Sequence, residues 1–138
     1  MSKPTSPAPA PAKLDLLKRH RAEYVAPRKP VLISTAPAHY LAVSGRGSPG
    51  GPCFESRIGA LYAMAFTIKM TRKFAGLGDY AVSRLECRYP QLGERMPADP
   101  EAWEWQLMIR TPDFIVPSDL ETAVAALRKR GKEGDAAL

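Results

Sequence analysis

The residues of this chain that could do chemistry are one carboxylate and a set of aromatic side chains. Glu86 sits in DYAVSRLECRY (79–89), an otherwise strand-like run. A carboxylate held in an apolar strand beside aromatic rings has a raised pKa unless a cation compensates it. Arg84 and Arg88 fall on the same side of that strand, so pairing with one of them is the alternative to a functional role. A pocket for a flat cation needs aromatic faces for stacking and cation–π contact, and an acid to balance charge. Tyr62, Phe66, Tyr89, Trp103 and Trp105 are the rings that could build it, with Met70 and Met108 as adaptable lining. Each aromatic singly also suits ordinary core packing. Trp103 and Trp105, two tryptophans on one side of one strand beside a long loop, exceed what a core usually takes.

The element that must position these groups is FESRIGALYAMAFTIKMTRKF (54–74). Phe54, Ile58, Leu61, Ala65 and Ile68 recur at three- and four-residue steps and share one face of a helix. Tyr62, Phe66 and Met70 broaden that face beyond what a surface helix needs, so a sheet, a partner or a ligand must cover them. Lys69, Arg72 and Lys73 lie near its C-terminus, where cations meet the negative end of the helix dipole. Gly76 and Gly78 stop it.

Before this helix, KLDLLKRHRAEY (13–24) reads as a short helix docking through Leu14, Leu17 and Tyr24, with His20 facing solvent. VLIST (31–35) and HYLAVSG (39–45) read as one bent strand or two short ones around Ala36-Pro37. GRGSPGGP (45–52) fits no phosphate-loop spacing, and its prolines remove amide donors, so it is a glycine turn into the helix. After the helix, strand 79–89 and strand AWEWQLMIR (102–110) flank a Pro-rich loop. The second strand places Trp103, Trp105, Leu107 and Ile109 on one face and Glu104, Gln106, Met108 and Arg110 on the other. Ser118 is the expected N-cap of a final helix, with Glu121 closing a capping box and Leu120, Val124 and Leu127 (or Ala123) as its core stripe. The order of elements predicts an α+β domain: an antiparallel sheet packed on one long central helix, with flanking N- and C-terminal helices.

At 138 residues, 45% hydrophobic and 25% charged, the chain has the makings of one globular domain. The expected organisation is a disordered Pro/Ala tail over 1–12, a folded domain over 13–130 and a frayed tail over 131–138. The net charge of +6 is spread over scattered Lys and Arg, and no recognition helix is visible, so direct nucleic-acid binding is not expected. No apolar run approaches the roughly 18 residues of a membrane span. Cys53 and Cys87, far apart and outside any CxxC, read as reduced thiols of a cytoplasmic protein. Neither a metal nor a cofactor is expected.

LDLLKRHRAEY, KPVLISTAPAHYLAVSGRGSP, FESRIGALYAMAFTIKM, YAVSRLE and WEWQLMIRTPDF together resemble the first half of the GyrI-like small-molecule-binding proteins, over about Lys13 to Arg130. GALYAMAFTIKM and WQLMIRTPDF are the most specific pieces. The resemblance implies a strand–helix–strand–strand module, usually one of a tandem pair, with a cleft that holds flat aromatic and often cationic compounds. It implies a xenobiotic or multidrug receptor, or a sequestering protein. It also implies a second possibility, a hydrolase opening strained cyclopropane rings of DNA-alkylating natural products inside an aromatic cage, with Glu86 as its catalytic carboxylate. Where that family tends to read PLEGLWW, this chain has Arg84-Leu85-Glu86-Cys87-Arg88-Tyr89-Pro90. The glutamate is kept, Tyr89 replaces one aromatic and Pro90 removes the other. Since the family's proteins usually continue for another module, a homodimer is expected to supply the second half of the cleft.

Overall fold

A computed structural model describes residues 13–93 and 95–131. In order along the chain come α1 (Leu16–Arg19), α2 (Arg21–Tyr24), β1 (His39–Arg46), α3 (Pro52–Phe74), β2 (Leu85–Arg88), β3 (Glu104–Thr111) and α4 (Pro117–Lys129). The three strands form one antiparallel sheet in the order β1-β3-β2. The fold is α+β, as the element order predicts. The expected tails, 1–12 and 131–138, lie outside the described residues except for Gly131.

The sheet has one packed face and one open face. Trp105, Leu107 and Ile109 of β3 are buried against Leu61 and Ala65 of α3, with Leu41, Val43, Phe54, Ile58, Tyr62 and Leu85 packed around them. Phe54, Ile58, Leu61 and Ala65 of the face predicted for α3 therefore meet the sheet, whereas Ile68, predicted with them, does not. Its next stripe, Met64 and Ile68, packs on Ala123 and Leu127 of α4. Helix α3 ends through Gly76 at φ 72°, where the Leu77 N–H donates to the Arg72 carbonyl at 3.0 Å. A left-handed residue there lets the chain turn back while satisfying the last carbonyls.

Several boundaries differ from expectation. Residues 31–35 are not a strand: they are exposed and pair with no strand among the described residues. Their composition favours a strand, but a strand needs a neighbour, and none of the described residues supplies one. The 13–24 helix is two four-residue pieces broken at His20, and Leu16 is its buried anchor. Leu14 instead bridges to Tyr80. Strand 79–89 shortens to Leu85–Arg88. Trp103 falls just before β3, as the residue closing the short 3₁₀ turn Pro100–Ala102. The last helix starts two residues earlier than predicted: Pro117 opens it and Asp119, in place of Glu121, takes the Val116 N–H at 2.9 Å. Asp119 also accepts from Arg72 Nη1 at 3.1 Å, which favours this cap over one at Ser118.

Asp79 ties the end of α3 to the N-terminal segment. Its carboxylate lies 3.0 Å from Lys69 Nζ, 3.8 Å from Lys73 Nζ and 3.9 Å from Lys13 Nζ. The hydrogen bond from Lys69 outweighs burial and holds Asp79 below the ordinary 3.8. A depressed carboxylate pKa contributes stability above its unfolded value, and that stability is lost as pH falls through the folded value. Asp79→Asn is therefore expected to melt below wild type at neutral pH. The gap should narrow as pH falls below about 4 and vanish once the folded-state carboxyl is protonated, and a gap that does not narrow with falling pH would rule the linkage out.

Candidate functional site

The open face of the sheet is built from the alternate positions of all three strands. Since Leu41, Leu85, Leu107 and Ile109 point to α3, their neighbours Tyr40, Glu86, Met108 and Arg110 point the other way. Register then brings them together: Tyr40 pairs with Arg110, and Glu86 pairs with Met108. Helix α2 and residues 35–38 cross one end of this face. They close a cleft of about 380 Å³ lined by Glu23, Tyr24, Thr35, Ala36, Ala38, Tyr40, Glu86 and Arg110.

The charges in the cleft do not balance. Arg110 is buried, and its Nη1 donates to Glu23 Oε2 at 3.1 Å and to the Tyr24 hydroxyl at 3.2 Å. Its charge is thus already met by Glu23. Glu86 makes no ion pair among the described residues, and neither Arg84 nor Arg88 reaches it. Its Oε2 is buried without a hydrogen-bond partner. Burial pushes the Glu86 carboxyl above its ordinary 4.5, with Arg110 opposing that rise and Glu23 adding to it. Burial also raises the Tyr40 hydroxyl, and the Glu86 charge adds to the effect. Glu23 also lies 3.3 Å from His20 Nδ1; with that ring neutral, two carboxylates around one guanidinium leave one negative charge for a cationic guest to meet.

The eight residues picked out by sequence do not form one cage. Glu86 and Met108 share the open face. Trp105 is on the opposite face, 1% exposed, its Nε1–H donating to the Gly47 carbonyl at 3.1 Å and its ring edge-on to Phe54 at 5.0 Å. The excess of tryptophan in β3 is therefore core, because Gly45 directly across on β1 leaves room for the indole. Tyr62 is also on the core side, its hydroxyl accepting the Leu85 N–H at 3.2 Å. Tyr89 and Trp103 meet edge to face at 6.2 Å, and Trp103 Nε1–H donates to the Pro97 carbonyl at 2.7 Å, which pins the long loop before β3. Phe66 and Met70 line a groove of about 400 Å³ between α3 and α4, away from Glu86. The residues that sequence reasoning missed are Glu23, Tyr24, Tyr40 and Arg110. The strand periodicity already put Arg110 on the Met108 side. Carrying the same alternation into β1 would have added Tyr40.

This arrangement, a one-sided α+β sheet with a polar-lined cleft on its free face, defines the class of protein. Three solved structures share the fold at a level where sequence agrees too. An uncharacterized conserved protein from Listeria innocua is 33% identical with a TM-score of 0.81, over 90% of this chain and 63% of that one. A hydrolase from Listeria innocua is 32% identical with a TM-score of 0.80, over 91% and 63%. A further hydrolase structure from the same organism is 32% identical with a TM-score of 0.77, over 91% and 62%. The chain thus spans less than two thirds of the length of each. Neither a family model nor a curated protein matches it. Among the described residues no helix is long and apolar enough to cross a membrane.

Proposed function

We propose that the protein binds flat, hydrophobic compounds carrying a positive charge, seated on the open face of the sheet. The observation that carries this reading is the Glu86 carboxylate, half-buried, its Oε2 without a hydrogen-bond partner and the group without an ion pair among the described residues, in a cleft where the nearby arginine is already neutralised. Tyr24 and Tyr40 supply rings for stacking, and Met108 beside Glu86 supplies adaptable apolar surface. The resemblance to GyrI-like binding proteins supports the same chemistry, that of a xenobiotic receptor or sequestering protein. The aromatic set differs from the one expected: Tyr24 and Tyr40 take the place of Trp103 and Trp105.

The test is a titration with a planar cationic dye and a neutral dye of the same shape. The cationic dye should bind more tightly. Its affinity should fall as pH drops through the Glu86 pKa, which lies above the ordinary 4.5 because of burial. Equal affinity for the two dyes, or no pH dependence between about pH 4 and 7, would overturn the reading.

The second reading is a hydrolase. The two similar hydrolase structures favour it, as does a carboxyl poised by burial to exchange a proton in an accessible cleft. Ring-opened or hydrolysed product from a bound, strained electrophile distinguishes catalysis from binding.

A further inference from the structure

Strand β1 has a free edge. It is the outermost strand of the sheet, so alternate N–H and C=O groups along His39–Arg46 point to solvent. Beside that edge runs an apolar groove between β1 and α4. Its wider part, about 310 Å³, is lined by Leu41, Ile115, Val116 and Leu120 among others, and it continues past Val43 and Met64. Val116 and Leu120 are 48% and 38% exposed. An unpaired strand edge next to an apolar furrow is the geometry that receives an added strand.

The same chain carries a segment of the matching kind. Val31, Leu32 and Ile33 are 59%, 103% and 54% exposed, and residues 26–38 make no backbone hydrogen bond with the other described residues. The segment is rich in β-branched residues (Val31, Ile33, Thr35), and Pro30 and Pro37 bracket its free donors. Charges match too. Arg28 and Lys29 precede it, while Glu121 directly follows Leu120 of the groove, and all three lack an ion pair among the described residues. Thr35, Ala36 and Ala38 run over the open face towards Glu86 on β2, across the sheet from the β1 edge.

We infer that residues 31–35 of one copy add as a strand to the β1 edge of a second copy, which returns the same contact about a twofold axis. The reciprocal exchange places Val31 and Ile33, which share one side of the segment, against the groove of the other copy and pairs both free edges. It also anchors one wall of the Glu86 cleft, because residues 35–38 follow directly.

Sedimentation equilibrium of the full chain tests this. Wild type is expected to dimerise. Ile33→Lys and Leu120→Lys should each weaken self-association by about tenfold or more, with far-UV circular dichroism unchanged because both side chains are exposed. Mixing the two variants should restore association in part, since one intact segment then meets one intact groove. Lys29→Glu should also weaken the dimer, and adding Glu121→Lys should recover it. A monomeric wild type overturns the proposal. So does a dimer that both lysine variants leave intact, which would place the interface elsewhere. A mixture no better associated than its components, or a loss of folding stability on Ile33→Lys in the monomer, would mean that the segment docks within its own chain and would equally overturn it.

Discussion

Glu86→Gln is expected to do two things at once: weaken cationic-dye binding and raise the melting temperature. The substitution keeps size and removes charge. Binding should fall by about 1–3 kcal/mol, the range for a contact with a charged partner, while a neutral dye is nearly unaffected. The stability effect follows from linkage. Because burial raises the Glu86 pKa in the folded protein, its contribution is favourable below the ordinary 4.5 and is lost as pH rises through the folded value. At neutral pH the ionised carboxylate is a cost, and an amide lifts it. The gain is about 0.5–1 kcal/mol, discounted because the group is only half-buried. A variant that binds both dyes as wild type and melts earlier would show Glu86 to be a structural residue. Stability given up at one position and recovered as ligand affinity is what a binding site in an otherwise consistent fold shows.

The largest loss of stability from the smallest change is expected at Gly45. A Cβ built there would overlap Cη2 of Trp105 and stand 2.6 Å from Cζ3 and 2.9 Å from Cζ2. The indole has no room to yield, since it is 1% exposed and hydrogen-bonded to Gly47. Gly45→Ala should cost about 3 kcal/mol, the upper end for overpacking a core. Chemical denaturation measures it. Combining Gly45→Ala with Trp105→Phe should cost less than the sum of the two singles, because the smaller ring vacates the space the methyl needs. Additive losses would mean that the two residues do not share that space.

Much of the packing was legible because periodicity reports it directly. The 3.6-residue stripe from Phe54 to Ile68 and the two-residue alternation in β3 are consequences of burying one side of each element. What those periods leave open is identity of role. Trp105 and Trp103 have the same parity and the same side chain. One became core because a glycine stands opposite in another strand, and the other became a loop anchor because a 3₁₀ turn precedes it. Residues 31–35 have strand composition without a strand, since pairing is a property of neighbours, not of side chains. The cleft was half visible. Glu86 and Met108 follow from alternation within their strands, whereas Tyr24 and Glu23 arrive from a helical turn some sixty residues earlier in the chain, which only the folded register reveals.

The eight residues of β3 write two texts in one line. Trp105, Leu107 and Ile109 are held by packing on α3, while Glu104, Gln106 and Met108 point to the open face; Arg110, buried and paired with Glu23, is the exception among the even positions. Substitutions can therefore accumulate at Gln106 and Met108 one at a time, changing which guest is accepted while the packed set is left intact. A single-residue insertion has the opposite character. It exchanges the two sets beyond the point of insertion, putting Glu and Arg under α3 and Leu and Ile in the cleft. Descent in this protein is expected to proceed by replacement along β3 and hardly ever by a change in its length.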